Sequence, residues 1–245
     1  MEVIDLSENN LTVTISDDFG TLTELSLLSL FSNQLSGEIP ESISRLPSLA
    51  YVTLYSNNLS GTLPPDLGQY SILQGFEVDQ NHFTGKLPEY LCANGGLIGI
   101  VAFDNNLSGE LPNSLSNCSS LLIVRVNGNR LSGSISAGLW TSINLTLLML
   151  SDNSFTGQLP RTLAPRLLPL EISNNKLSGE IPTGLSSSKN LTVFSASNNL
   201  FVGTILQELT TLSQLTTLLL DGNLFSGHLP SDIVSWKSLK TLNLS

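Results

Sequence analysis

The sequence predicts a repeat solenoid, a stack of short turns sharing one continuous core, and three observations predict it. An asparagine recurs at Asn9, Asn33, Asn57, Asn81, Asn105, Asn129, Asn153, Asn175, Asn199 and Asn223, at intervals of 24 residues with a single interval of 22. Apolar residues stand five and three before it, as in Leu28 and Leu30, Val52 and Leu54, Val124 and Val126 or Leu218 and Leu220. A glycine stands four after it, from Gly37 and Gly61 to Gly203 and Gly227. A fixed period of about 20 to 50 residues marks an array in which each unit buries its apolar face only against its neighbours.

Each position then has a task. The two apolar residues point inward along a short strand, and parallel stacking about 4.8 Å apart gives ten such strands an arc on the order of 50 Å long. The asparagine turns inward after the strand, where backbone groups of its own and the neighbouring turn can satisfy its amide. A Leu or Phe follows two later (Leu35, Leu59, Phe83, Phe155), then Ser or Thr, then the glycine, which suits a bend or positive φ. Ile or Leu plus Pro, as in Ile39-Pro40 and Leu111-Pro112, makes an extended edge element that lacks one donor. Ile43, Leu67, Leu91, Leu115, Leu139 and Leu163 come ten after the asparagine and pin a short 3₁₀ or helical turn to the convex side. The frame departs locally. Val13 replaces the first glycine, and Ser16, Ser136 and Leu206 replace prolines. The interval holding Ala164-Pro165-Arg166 is two residues short, which predicts a tightened convex loop with the strand register kept.

The array runs over residues 1–245 without a break in composition, as one domain of about ten repeats and a truncated eleventh. Hydrophobic residues make up 40% and charged ones 12%, enough apolar surface for a core and too few charges for disorder. A net charge of -10 disfavours nucleic acid and suits cationic partners. No uninterrupted apolar run of about 18 residues exists, so no segment is expected to span or contact a membrane. Met1 leads into a strand rather than a secretory leader, and neither end carries the polar cap that a bare solenoid end requires. The chain therefore reads as an internal piece of a longer protein. His82 and His228 are far apart in repeat space with no ligand at metal spacing, so neither a metal nor a cofactor is expected. No acid/base motif stands out, and no glycine-rich loop is followed by a kinase catalytic loop, so the chain is not expected to be an enzyme.

Because core positions are committed, specificity must lie on strand residues pointing outward onto the concave face, six, four and two before the asparagine, with a contribution from the residue just before it. Those positions hold Phe31, Tyr51, Tyr55 and Phe103, an expected aromatic column, with Glu77, Asp79 and Asp104 beside it as an acidic cluster. Arg125 stands alone as the basic residue, followed by Asn127, Met149, Asp152 and Glu171. Exposed aromatics and a lone arginine are the residue types that dominate binding hot spots. The acidic cluster favours a ligand with Lys or Arg near its middle.

The frame L-x-x-L-x-L-x-x-N-x-L resembles that of leucine-rich repeats, and L-S-G-x-I-P after N-x-L is similar to their plant-specific extracellular class. That resemblance covers essentially the whole chain. It implies an α/β-type solenoid, a curved and twisted right-handed superhelix with a parallel concave β-sheet and a convex side of 3₁₀ turns and loops. A narrower likeness lies in Leu91-Cys92-Ala93-Asn94-Gly95-Gly96, Val101-Ala102-Phe103-Asp104-Asn105-Asn106-Leu107, Ser151-Asp152-Asn153-Ser154-Phe155-Thr156-Gly157 and Ser235-Trp236-Lys237-Ser238-Leu239, which resemble the HAESA-like group of plant receptor kinases. It implies an ectodomain on the extracellular side of the plasma membrane that binds a small secreted peptide along its concave face. It also implies recruitment of a co-receptor kinase of the somatic-embryogenesis type. That group commonly receives the peptide's C-terminal carboxylate on an R-x-R pair; Ile123 and Arg125 match the pair, so only its second arginine is present. The bidentate clamp is thereby weakened, and the acidic cluster becomes the more informative clue.

The extracellular context bears on two further features. Sequons place glycosylation candidates at Asn10, Asn58, Asn106, Asn117, Asn144 and Asn190, three of which (Asn10, Asn58, Asn106) follow from the repeat's own N-N-L-S/T wording. Cys92 and Cys118 occupy offsets in adjacent repeats from which a cross-repeat disulfide is feasible, the alternative being two small buried thiols. Two other functions compete with peptide reception: a secreted inhibitor of a cell-wall-degrading enzyme, and a truncated receptor fragment without independent function.

Overall fold

Short strands recur where the inward pairs of apolar residues require them, from Val3–Asp5 through Tyr51–Thr53, Gly75–Glu77, Gly99–Val101 and Ile123–Arg125 to Thr241–Asn243. In the computed structural model, which describes residues 1–245, they form one sheet of eleven strands in sequence order. Every pair is parallel and advances one repeat, for example Val52↔Phe76 and Val124↔Leu148. The convex anchors Ile43, Leu67, Leu91, Leu115, Leu139 and Leu163 are all buried, and 58 apolar residues make one contiguous core.

The convex side is built from 3₁₀ turns, such as Glu41–Arg45, Asn113–Asn117 and Gln207–Thr211, and one short α-helix, Ala137–Trp140. Two residues that replace the usual proline act as caps. Ser16 Oγ accepts from Asp18 N–H and Ser136 Oγ from Leu139 N–H, satisfying donors that a helix start leaves free. The short interval keeps register as expected: Leu148 pairs with Leu170, and the residues between strands Ser154–Gln158 and Pro169–Glu171 form no helix.

The glycine four after the ladder asparagine has the expected positive φ, between 73° and 95°, and the segment between asparagine and glycine is itself a strand. Seven such segments, from Thr84–Gly85 to Leu224–Phe225, pair into a second parallel sheet, and Ser36–Gly37 pairs with Asn58–Leu59. The extended pairing thus begins before the Ile/Leu-Pro element. Its strands are two to five residues long, too short for alternation to show in sequence.

The ladder asparagines do what their period requires. Asn81 Nδ2 donates to the carbonyl oxygens of Leu54, Val78 and Asp79 at 3.0, 3.2 and 3.1 Å, while its Oδ1 accepts from Leu59 N–H at 2.9 Å. The same pattern recurs at Asn199 and elsewhere, so each side chain ties its own turn to the preceding one. The chain reaches this arrangement through a left-handed residue just before the asparagine: Glu8, Ser32, Ser56, Gln80, Asp104, Asp152, Asn174 and Asn198 have φ between 52° and 57°, and glycine fills the place at 128 and 222. Left-handed backbone is uncommon for residues with a Cβ, and the interlocking amides hold it. Cys92 and Cys118 are joined by a disulfide with Cα atoms 5.9 Å apart, linking adjacent convex turns.

Candidate ligand-binding surface on the concave sheet

The parallel register places every outward residue beside the equivalent residue of the next repeat, and the expected aromatic column divides. Phe31 and Tyr55 stack with ring centroids 4.5 Å apart and planes 10° from parallel. Phe103 instead lies beneath Arg125, whose guanidinium carbon is 4.5 Å from the ring centroid. Tyr51, on the opposite rim, leans towards the next strand and donates from its hydroxyl to Gln74 Oε1 at 2.6 Å. Its outward position puts Tyr51 in the same strand as Thr53, four residues from Tyr55, so one column cannot hold both.

Between the two aromatic groups lies a cavity of about 310 Å³ lined by Tyr55, Glu77, Asp79, Gln80, Val101, Phe103 and Arg125. The acidic patch expected from sequence is here only partly solvated. Asp104 is exposed, but Asp79 retains 5% of its accessible surface, enclosed among its cavity neighbours. Burial pushes the Asp79 carboxyl up to about 6, against a hydrogen bond from its own backbone; repulsion from Glu77 and Asp104 adds to the rise and Arg125 opposes it. Burial likewise raises Glu77, with Arg125 opposing. Tyr55 is raised by burial and by the negative field of Glu77, Asp79 and Glu8. The site therefore mixes a fixed positive charge with carboxylates that resist ionisation.

Two buried polar atoms on this face have no partner, Arg125 Nε in the cavity wall and Asn127 Oδ1 two residues farther along the chain. Such groups are exceptions in folded proteins, since an unpaired buried donor or acceptor costs about 1–3 kcal/mol. One is a donor and the other an acceptor, so together they can meet a group that offers both, as a peptide unit does. Met149, next to Arg125 in register, and Glu171 beyond it are half-buried, and Asp152 is exposed. Asp152 lies away from the cavity and accepts from Asn174 Nδ2 at 2.7 Å. Sequence reasoning overlooked Gln80, which lines the cavity and accepts from Ser56 Oγ at 2.6 Å, although its place just before a ladder asparagine was the available signal.

Of the sequon asparagines, Asn10, Asn58, Asn106, Asn117 and Asn190 are exposed. Asn144 is half-buried with its Nδ2 donating to Ser119 C=O at 2.8 Å, so the nitrogen that would carry a glycan is already engaged. No group of three or more His, Cys, Asp or Glu is placed to hold a metal ion, and no helix is long and apolar enough to cross a membrane.

A parallel concave sheet, an inward asparagine ladder and a convex side of 3₁₀ turns define a class. The chain belongs to the leucine-rich repeat family, whose model, described as Leucine Rich Repeat, matches residues 1–22, 24–46, 48–70, 144–165, 170–188 and 214–236. Within that family it is similar over its whole length to a plant receptor kinase ectodomain, that of Arabidopsis HAESA in complex with an N-terminally extended IDA peptide hormone, at 42% identity and a TM-score of 0.97. A structure of HAESA with IDA and the co-receptor SERK1 matches 99% of the chain at 42% identity and a TM-score of 0.96. The plant peptide hormone receptor RGFR1 in complex with RGF2 matches all of it at 31% identity and a TM-score of 0.88. The chain spans 41% of each HAESA structure and 43% of RGFR1. No curated protein sequence matches.

Proposed function

We propose that this array is a ligand-recognition segment of a plant receptor ectodomain, acting on the extracellular side of the plasma membrane and binding a small secreted peptide on its concave face. The observation that carries the reading is the cavity between Tyr55 and Arg125, with an unpartnered donor in its wall, Arg125 Nε, and an unpartnered acceptor, Asn127 Oδ1, two residues farther along the chain. A peptide that turns these two side chains as it settles on the sheet supplies a carbonyl to the first and an N–H to the second. Glu77 and Asp79 select a hydrogen-bond donor or cation in the same ligand, while Phe103 and Tyr55 offer faces for apolar contact. With Ile123 in place of an arginine, a single guanidinium rather than a bidentate pair meets any carboxylate, which moves the anchor of the ligand toward the acidic wall.

Recruitment of a co-receptor kinase of the somatic-embryogenesis type follows from the same likeness, since one related structure is a complex with such a co-receptor. Catalysis has no part in this segment: its charged residues serve recognition. Isothermal titration of the chain with synthetic IDA and with a panel of cationic secreted peptides tests the reading. Saturable heat that disappears in Arg125→Ala supports it. A folded protein that binds none of the peptides, but inhibits a polygalacturonase, replaces it with the enzyme-inhibitor alternative.

A further inference from the structure

Two adjacent concave strands lack a side chain at the same outward position. Gly75 and Gly99 are register partners, and the equivalent place in the other nine strands carries a side chain, from Val3, Leu27 and Tyr51 on one side to Ile123, Leu147, Pro169, Val193, Thr217 and Thr241 on the other. Glycine weakens a strand interior, so its use there needs a reason. Backbone conformation does not supply one, because neither residue has positive φ. Packing does not supply one at Gly99, where an added Cβ would meet only Ile123 Cβ at 3.7 Å, an ordinary contact. At Gly75 the missing Cβ makes room for Tyr51, whose Cδ1 would stand 2.8 Å from it.

The result is bare backbone at Gly99, walled on one side by the Tyr51 ring, which leans over Gly75, and on the other by Ile123. Tyr51 is 39% exposed, a large apolar face left open. Its hydroxyl is held by Gln74, the residue preceding Gly75, so the ring is oriented and not free to swing across Gly99. Farther along the same two strands come Glu77 and Val101, which line the cavity described above. A ligand bound at that cavity has a neighbouring side chain within reach of Gly99. A glycine at 99 that packing does not require, with the half-open Tyr51 ring beside it, is the arrangement expected for close approach of another molecule to the backbone.

We infer that the gap over Gly99, between the Tyr51 ring seated on Gly75 and the side chain of Ile123, is a subsite that seats a bulky apolar side chain of the bound peptide. The inference rests on the peptide reading for its occupant, but the subsite itself can be tested without a hormone. The subsite carries no charge and its floor amides are engaged in the sheet, so it selects against charged side chains.

The experiment is a titration of the whole chain, followed by NMR at the Gly75 and Gly99 amides, with N-acetyl-leucinamide, N-acetyl-phenylalaninamide and, as a charged control, N-acetyl-lysinamide. The two apolar probes should shift both glycines and the lysine probe should not. Gly99→Leu fills the gap and should weaken the apolar probes by about tenfold or more, the scale set by burial of one such side chain, while melting no earlier than the parent chain. Tyr51→Ala, which removes the wall without adding bulk, should weaken them too and keeps the test valid if Gly99→Leu does not fold. Absence of any shift, an equal response to the lysine probe, or unchanged binding in a folded variant overturns the subsite. Peptides that bind the parent chain and Gly99→Leu alike also overturn it and leave the peptide reading standing. A silent peptide panel beside a positive response to the apolar probes removes the peptide reading and leaves an apolar subsite for another ligand.

Discussion

From Tyr51 to Asn127 the concave face presents rings, a guanidinium and carboxylates, with unpartnered atoms at Arg125 and Asn127, whereas from Ser151 to Asp221 a row of short side chains along it is bonded within itself. In the second region Ser173 N–H donates to Ser151 Oγ, the hydroxyls of Ser173 and Ser195 lie 2.8 Å apart, and Ser197 Oγ donates to the Asp221 carboxylate. An outer row does the same, with Asn198 donating to Asn174 and Asn174 to Asp152. Backbone and period are common to both regions. What separates them is whether hydrogen-bonding capacity is spent within the fold or left for something else, and only the first region has capacity left at buried positions.

If the ladder is a frame common to both, removing one asparagine from either region must cost the same. Asn81→Ala and Asn199→Ala each strip a buried amide from carbonyl oxygens of two turns and from one N–H, at Leu59 and Leu177 respectively. Each should lower stability by about 3–4 kcal/mol, read by urea denaturation, because several buried groups lose partners together. A difference above about 1 kcal/mol between the two would break the claim that the regions differ only at their surface.

The next effect separates the regions by pH. The Asp79 carboxyl is raised from 3.8 to about 6, so the stability it contributes is present in full below the unfolded value and lost as pH rises through about 6. Between pH 4 and 7 the parent chain should therefore lose up to about 3 kcal/mol relative to Asp79→Asn, at about 1.4 kcal/mol for each pH unit of the shift. Melting curves of both proteins at pH 4 and pH 7.5 check the sign: equal offsets at the two pH values would show that Asp79 ionises in the fold as it does unfolded. For a cationic peptide the same ionisation should strengthen binding as pH climbs through 6.

Much of this division was legible in sequence, and where it was not the reason is local. The period named every outward position, including Glu77, Asp79 and Arg125, because a side chain's direction in a stacked strand depends on its count from the asparagine alone. What Arg125 does with that direction depends on where Phe103, one repeat back, leaves a ring face, and no count reports a rotamer. Asp79 is counted from sequence as part of an outward acidic cluster; its burial arises from large neighbours in three other repeats, Tyr55, Phe103 and Arg125, which no count reports. The stretch left out of the family match between residues 71 and 143 holds the two strand glycines, the disulfide and most of the cavity.

Binding gives the third contrast. Arg125→Ala should weaken a bound peptide by about 2 kcal/mol, roughly 30-fold, the scale of an interface arginine. Arg125→Lys should recover only part of it, since a compact ammonium cannot lie flat on the Phe103 ring as a guanidinium does. Full recovery by lysine would reduce the role of the residue to its charge, and titration calorimetry distinguishes the two.

The smallest effect lies in the serine floor and bears on the comparison from the other side. Ser195→Ala removes the hydroxyl facing Ser173, yet Ser173 Oγ still accepts from Ser197 N–H at 3.0 Å, so the loss should be about 1 kcal/mol. Ser173→Ala removes both contacts and leaves Ser197 N–H without that acceptor, so it should cost more, about 1–2 kcal/mol. Combining the two should cost less than the sum, because the hydroxyl pair can be lost only once; a double-mutant cycle reads that coupling directly. Peptide affinity should be unchanged throughout, because groups already bonded to one another offer a ligand nothing it would not first have to break. If instead Ser195→Ala weakens peptide binding as much as Arg125→Ala while stability holds, the floor is a contact surface, and recognition extends along the whole concave sheet and is not concentrated where hydrogen-bonding capacity remains.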